Sequence, residues 1–303
     1  MASLPTTRAT STAVDLSRLP PPDVIEPLDF EAINAALRAD FVARFPEFSA
    51  NVESDPVVKL IEAAAYRELV LRARINDAAR ANLIAYATGP DLENLAAFFG
   101  VTRQEIAPAD LQAGTPAIVE TDDELRRRVL LAPDSFSVAG PASAYVYHAL
   151  TADARVLDAS ATSPTPGDVV VSLLAREGDG TAPQDMIDAV EDLLAGDEVR
   201  PLTDRVTVQS AGIVTFDIDA QLVLYAGPDQ QLIEAEANRA LDDLLTRNRR
   251  IGRDITQSAI IAALMVGGVQ RVELVAPAAN VVIDDTQAAA VSARSVQVIG
   301  FDE

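Results

Sequence analysis

The sequence has no cysteine, no tryptophan and a single histidine. Without cysteine there is no disulfide framework, thiolate nucleophile, zinc ribbon or iron–sulfur cluster, and one imidazole cannot supply the paired histidines of a transition-metal site. Only oxygen-ligand chemistry survives. Cations are scarce as well: 24 Lys and Arg face 46 Asp and Glu over 303 residues, a formal charge of −22. A naked duplex needs enough basic groups to displace its counterions, so free nucleic acid is excluded as a partner, and an anionic membrane surface is disfavoured on the same ground. The longest unbroken apolar run, Ala259 to Val266, ends at Gly267-Gly268 and is far too short to span a bilayer. Residues 1–22 contain no continuous hydrophobic segment, so the chain reads as soluble, without a secretory signal. Aromatics make up only 5% of the chain, and much of the 49% hydrophobic content is alanine, which packs closely but buries little area per residue.

What is present reads as an α+β protein: an N-terminal helical module followed by two mixed α/β modules with small, mostly antiparallel sheets. Residues 1–27 read as an extended arm, because Pro20-Pro21-Pro22 fixes φ and removes backbone donors. A helical domain follows over 28–106. Asp29 is placed to cap a helix carrying Phe30, Ile33, Leu37 and Phe41 on one face, stopped by Pro46. Ser54-Asp55-Pro56 starts a longer helix expected to run to Thr88. Along it Leu60, Ala64, Leu71, Ile75 and Ala78 form one apolar seam, and Val58, Ile61, Ala65 and Leu69 a second, so neighbours are expected on two sides. A short helix with Leu92, Leu95 and Phe98 ends at Gly100.

A middle α/β domain is assigned to 107–211. It opens with a linker-like segment, Ala107 to Asp122, and a short helix over Asp123–Leu131; Pro141 starts another. Strands are expected at Val156–Thr162, Asp168–Leu174 and Val206–Ser210, with a helix to Leu194 started by a Thr181/Gln184 capping box. The last domain, 212–303, has an alternating strand over Thr215–Tyr225, helices from about Pro228 to Asn248 and from Thr256 to Met265, and strands near Val269–Val275, Asn280–Ile283 and Ser295–Ile299.

No set of residues assembles an active site. Gly178-Asp179-Gly180-Thr181 sits between a strand and a helix but lacks the spacing and lysine of a phosphate loop, and reads as a turn. Asp217 and Asp219 share one strand face, and Asp122-Asp123 and Asp284-Asp285 are adjacent, yet none is followed by the glycine-spaced loop and bidentate Glu of a calcium site. His148 has Ser135, Ser137 and Ser143 nearby in sequence, none in a nucleophile elbow, and reads as structural. The arginines at 126–128 and 247–253 flank acidic helices and fit local ion pairing or an acidic partner.

Several long motifs carry a resemblance. Leu19-Pro20-Pro21-Pro22-Asp23-Val24-Ile25-Glu26-Pro27-Leu28-Asp29-Phe30, Glu53-Ser54-Asp55-Pro56 with Ala65-Tyr66-Arg67-Glu68-Leu69 and Arg74-Ile75-Asn76, and Ala85-Tyr86-Ala87-Thr88-Gly89 resemble the baseplate protein J family of contractile-tailed phages. So do Phe136-Ser137-Val138-Ala139-Gly140-Pro141, Arg176-Glu177-Gly178-Asp179-Gly180, Val199-Arg200-Pro201-Leu202-Thr203-Asp204 and Gly268-Val269-Gln270-Arg271-Val272-Glu273-Leu274. The resemblance spans Leu19 to about Ile299. It implies a structural wedge component of the tail baseplate, with no enzymatic activity and no cofactor.

By the same resemblance, copies pair within a wedge through their N-terminal helices, bundled with a second, protein I-like wedge protein beside a sheath-proximal, protein W-like one. The C-terminal domains, read as dimerisation domains, pair between wedges around the tail hub. The chain is expected in the virion's tail baseplate, made in the bacterial cytoplasm, without nucleic acid or membrane as partner. The residues expected at protein interfaces are Leu60, Ala64, Tyr66, Arg67, Leu71, Ile75, Arg271 and Glu273. The alternatives are a Mg²⁺-dependent hydrolase using Asp217 and Asp219, and a soluble adaptor unrelated to phage tails.

Overall fold

The computed structural model describes residues 20, 22–49, 52–112, 114–137, 140–196, 199–201, 203–227 and 229–302. Most of the expected arm over 1–27 lies outside them. The chain divides into two compact units: the described residues up to Arg103 together with Thr121–Arg126, and Gln104–Glu120 together with the described residues from Arg127 onward.

The first unit is helical. Helix α1 (Phe30–Arg44) is capped as its sequence dictates, the Asp29 carboxylate accepting from the Glu31 and Ala32 amides. Helix α2 (Pro56–Ala81) starts with the Asp55 side chain accepting from Val57 N–H, and Pro56 follows in the first turn. It stops seven residues short of the expected Thr88. Asn82 ends it, donating through its side-chain amide to the Ala78 carbonyl at 2.7 Å, and the chain turns away although apolar residues continue at Leu83, Ile84 and Ala87. Those carbonyls have their own donor: Arg126 reaches Ile84 O at 2.7 Å and Ala87 O at 2.9 Å. Helix α3 (Gly89–Ala97) follows, burying Leu92 and Ala96.

Of the two α2 seams, one is covered. Val58, Ile61 and Ala65 are buried, with Leu69 half-buried, on the side of α2 that packs on α1. The same side holds the chain before α1, where Asn76 exchanges two hydrogen bonds with the Glu26 backbone, at 3.1 and 2.8 Å.

The second unit contains two cores. Residues read as a linker form a small ribbon of β1 (Glu105–Ala107) and β2 (Ile118–Val119). Helix α4 (Asp122–Ser135) is longer than expected at both ends, running through Pro133. Beyond it come α5 (Ala142–Ala152), β3 (Val156–Thr162), β4 (Asp168–Ala175), α6 (Gln184–Leu194) and β5 (Arg205–Ser210). The central strand β4 pairs antiparallel with β3 and, through the α6 crossover, parallel with β5. Val171 and Leu173 of β4, Met186, Val190 and Leu194 of α6, and Tyr145 and Ala149 of α5 make the first core. The expected capping box before α6 is absent. Thr181 gives its N–H to the Asp179 carboxylate and Ala182 gives its own to the Ser210 hydroxyl, so loop partners satisfy the donors and Pro183 opens the helix.

The last core lies between β6 (Gly212–Tyr225), α7 (Gln230–Asn248), α8 (Gln257–Leu264), β7 (Val269–Ala276) and β8 (Gln287–Asp302). The alternation along β6 is borne out: Phe216, Ile218, Ala220, Leu222 and Leu224 are all buried under α7 and α8. The sheet order is β7-β6-β8, with β7 antiparallel and β8 parallel to β6. Asn280–Ile283 is not a strand. Only Val281 pairs, with Ile255, while Ile283 N–H goes to Asp254 and the Asn280 side chain accepts from Gln257 at the start of α8. In contrast, β8 is far longer than Ser295–Ile299, because the parallel ladder with β6 carries weak strand formers such as Ala288 to Ala290. Among the described residues, three of the five strand pairings are antiparallel, in keeping with an α+β fold.

The turn into β7 depends on a glycine. Gly268 has φ +98, and a Cβ there would lie 2.5 Å from Ile233 Cδ1 in the core, whereas Gly267 has neither constraint. Gly268→Ala is therefore expected to cost about 1–3 kcal/mol in denaturant unfolding, and Gly267→Ala well under half of that.

Candidate functional site

The candidate functional regions are surfaces rather than a cleft. The first is the other seam of α2. Leu60 is 70% exposed, Leu71 65% and Ile75 59%, and Ala64 and Ala78 are exposed in line with them. Tyr66 and Val70 lie exposed on the shoulder of the same helix. Arg67 and Arg74 stand within the seam. The second surface is the outer side of β7, where Arg271 donates to Glu273 at 2.9 Å and to Asp302 at 3.3 Å, with Val275 exposed beside them. Residues 60, 64, 66, 67, 71 and 75 therefore share one helix of the first unit, and Arg271 and Glu273 one strand of the second.

The other singled-out groups have structural partners. Asp217 accepts from the Ser292 hydroxyl at 2.5 Å, and Asp284 accepts from the Thr286 amide and hydroxyl at 2.8 and 2.7 Å. The Asp285 carbonyl accepts from Ser160. In the glycine turn, Asp179 is held below the usual carboxylate range by the backbone and side chain of Thr181, so the turn already carries an anion of its own. His148 is half-buried, packs edge-on against Tyr147, and is pushed down by burial toward the neutral form. Ser135 donates to the Ala132 carbonyl. Among the described residues no group of three or more His, Asp or Glu is arranged to hold a metal ion.

Sequence reasoning did not anticipate how the three consecutive arginines are divided. Successive helical residues point about 100° apart, so each finds different neighbours. Arg126 satisfies the carbonyls after α2, Arg127 binds Asp158 at 2.5 Å, and Arg128 forms a fully buried pair with Glu120 at 2.8 Å. Asp158 is itself buried on β3 and also accepts from the Ile251 amide at 2.9 Å, next to Arg250, which donates to the Leu157 carbonyl. One carboxylate thus joins the two cores of the second unit. The signal available in sequence was an Asp at a strand position surrounded by small apolar residues.

In the first unit Asp122 plays a similar part. It accepts from Arg103 at 2.6 Å and from the Gly89 amide. Burial acts to raise its carboxyl, but the Arg103 and Gly89 bonds outweigh it and hold the group below the ordinary range.

The chain matches three family models: Baseplate J-like N-terminal domain over residues 53–110, Baseplate J-like central domain over 137–210, and Baseplate J-like protein C-terminal domain over 216–297. It is 47% identical over 299 residues to Baseplate protein J of Escherichia phage P2, an alignment covering 96% of this chain and 99% of that protein.

Two outcomes follow from these carboxylates. Asp158→Ala leaves Arg127 and the Ile251 amide without their acceptor and is expected to cost on the order of 3 kcal/mol, and calorimetry should then resolve separate melting of the two cores. A carboxylate held low in the folded state stabilises that state at neutral pH, a contribution lost as pH falls from the usual carboxylate range through the folded value. Asp122→Asn is accordingly expected to lower stability at pH 7 by about 1 kcal/mol, since the group is partly solvated, and to make acid unfolding less steep.

Proposed function

The chain belongs to the baseplate protein J family, and from that membership we propose that it is a structural subunit of a phage tail baseplate wedge that works by binding other proteins. The observation that carries this reading is the exposed seam of α2. Leu60, Leu71 and Ile75 leave an exposed apolar seam, interrupted by Arg67 and Arg74, on a helix whose other apolar side is already covered. Such stripes on stable helices belong to interfaces.

A ring built from repeated wedges needs two different contacts per subunit, because one self-complementary patch closes a dimer and goes no further. In the proposed arrangement the α2 seam, with Leu60, Ala64, Tyr66, Arg67, Leu71 and Ile75, makes the contacts inside a wedge, with another copy of the chain and with a protein I-like wedge protein. The β7 face, with Arg271 and Glu273, lies at the contact between wedges that encircles the hub. A protein W-like component sits toward the sheath. The modules take the bounds 28–106 for the bundling domain, 107–211 for the middle domain and 212–303 for the dimerisation domain. The place of action is the virion's tail baseplate, after synthesis in the host cytoplasm.

Leu71→Asp tests this reading. Leu71 is exposed in the single chain, so the variant is expected to fold with unchanged circular dichroism and melting temperature. Co-expressed with the remaining wedge proteins, it should fail to assemble, because a lone carboxylate buried in an apolar contact costs several kcal/mol. Normal assembly would place the seam in solvent and overturn the proposal.

A further inference from the structure

The arginines at the end of α7 behave differently from the others of the second unit. Arg127, Arg155 and Arg294 each meet a carboxylate. Arg247 instead donates to the Asp243 carbonyl at 3.1 Å and Arg249 to the Gly178 carbonyl at 2.8 Å, and among the described residues neither has an ion pair. Arg253 is exposed and has no partner among the described residues. The carboxylates close by are already engaged: Asp254 accepts from the Ile283 amide, and Asp179, which lies within the field of Arg249, accepts from the Thr181 amide. Local ion pairing, one of the two readings their sequence allows, is therefore not what these three cations do.

The opposite imbalance sits at the far end of α6. Glu191 and Asp192 stand in its last turn, both exposed, and among the described residues neither is hydrogen-bonded or paired through its side chain. No basic residue shares that turn. The free carbonyls there already carry the negative end of the helix dipole, so two carboxylates have the wrong sign for the position. Asp185, at the other end of the same helix, is by contrast paired with Arg155 at 2.8 Å. Arg200, the next cation along the chain, acts on Tyr145.

The two patches flank one helix. Arg249 reaches Gly178, six residues before α6 begins, and the 11 residues of α6 span about 16 Å. The cations thus lie near the start of the helix and the bare carboxylates at its end. Neighbouring patches of opposite sign are complementary under a two-fold axis set between them: the arginines of each copy meet the α6 end of the other, and the contact is made twice. A shift without rotation would match one pair and leave a positive and a negative patch bare. With a formal charge of −22 two copies repel at long range, so only an approach that opposes these patches is favoured by charge.

We propose that a second copy of this chain docks here, with Glu191 and Asp192 of each copy set against Arg247, Arg249 and Arg253 of the other. The contact lies apart from the α2 seam and from β7, and it does not rest on the wedge reading. Exposed ion pairs are individually weak and screened by salt, so the contact fixes orientation more than it supplies affinity. It gains force where other contacts already hold copies close together.

Sedimentation of the full chain tests the proposal, with Leu71→Asp in every sample so that the α2 seam takes no part. Self-association is expected at about 0.05 M salt and is lost by about 0.5 M. Arg247→Glu with Arg253→Glu, and separately Glu191→Arg with Asp192→Arg, should each weaken it about a hundredfold with unchanged circular dichroism, because all four side chains are exposed. Mixing the two variants should restore association, since each altered patch then faces its altered complement and the unaltered patches face each other. Normal association by either variant, failure of the mixture to associate, or a chain that stays single at low salt would each overturn the proposal. None of these outcomes bears on the wedge reading, which falls only if Leu71→Asp assembles normally with the other wedge proteins.

Discussion

A helix with apolar side chains on two opposite sides can bury only one of them against a single neighbour, and α2 is such a helix. Its covered side carries Val58, Ile61, Ala65 and Asn76, meeting α1 and the chain around Glu26. Its other side carries Leu60, Leu71 and Ile75 into solvent. Complete burial of each of these three side chains is worth about 1.5–3 kcal/mol, a contribution of the same order as the freedom lost on association. The low aromatic content sharpens the point. A first unit rich in alanine has a thin core of its own, and its longest helix keeps Leu60, Leu71 and Ile75 outside it.

Charge is managed by a different rule. The chain carries a formal −22, and its arginines are spent mainly on internal anchoring. Arg103 bridges Glu93 and Asp122, Arg155 bridges Asp153 and Asp185, and Arg294 reaches Asp242 and Asn238 on α7. Others donate to carbonyls left over where helices and strands end, as Arg126 does after α2, Arg249 at Gly178 and Arg250 at Leu157. Each such bond satisfies a backbone acceptor that would otherwise cost free energy when shielded from water. An extended positively charged surface is thereby avoided even though 24 basic residues are present.

Periodicity and end signals made much of the fold legible before any coordinates. The Asp29 and Asp55 caps, the strand at Val156–Thr162 and the buried alternation of β6 are set by local chemistry, and each stands where that chemistry places it. The misreadings share a cause: tertiary partners replaced the local ones. The end of α2 is set by the Asn82 side chain and by a guanidinium arriving from α4, not by where the apolar residues stop. The capping box before α6 gives way to Ser210 on a strand 28 residues away. The length of β8 follows from β6, since its alanines have little strand preference of their own. Of the candidate surfaces, the seam was visible as spacing. That Arg67 and Arg74 lack partners among the described residues was not, because nothing in the sequence distinguishes them from Arg72 or Arg80 until the side chains are placed.

The two surfaces therefore differ in kind. On β7, Arg271 is already neutralised by Glu273 and Asp302 within the same chain, so a neighbour meeting that face finds a balanced patch and is selected by shape and by the exposed Val275. On α2, among the described residues, Arg67 and Arg74 have no acidic partner, so that face keeps a local positive charge. A balanced patch tolerates a copy of itself, because no like charges are forced together, whereas an unbalanced one favours a neighbour that brings carboxylates. Placing one on a helix of the first unit and the other on a strand of the second keeps the two selections chemically independent.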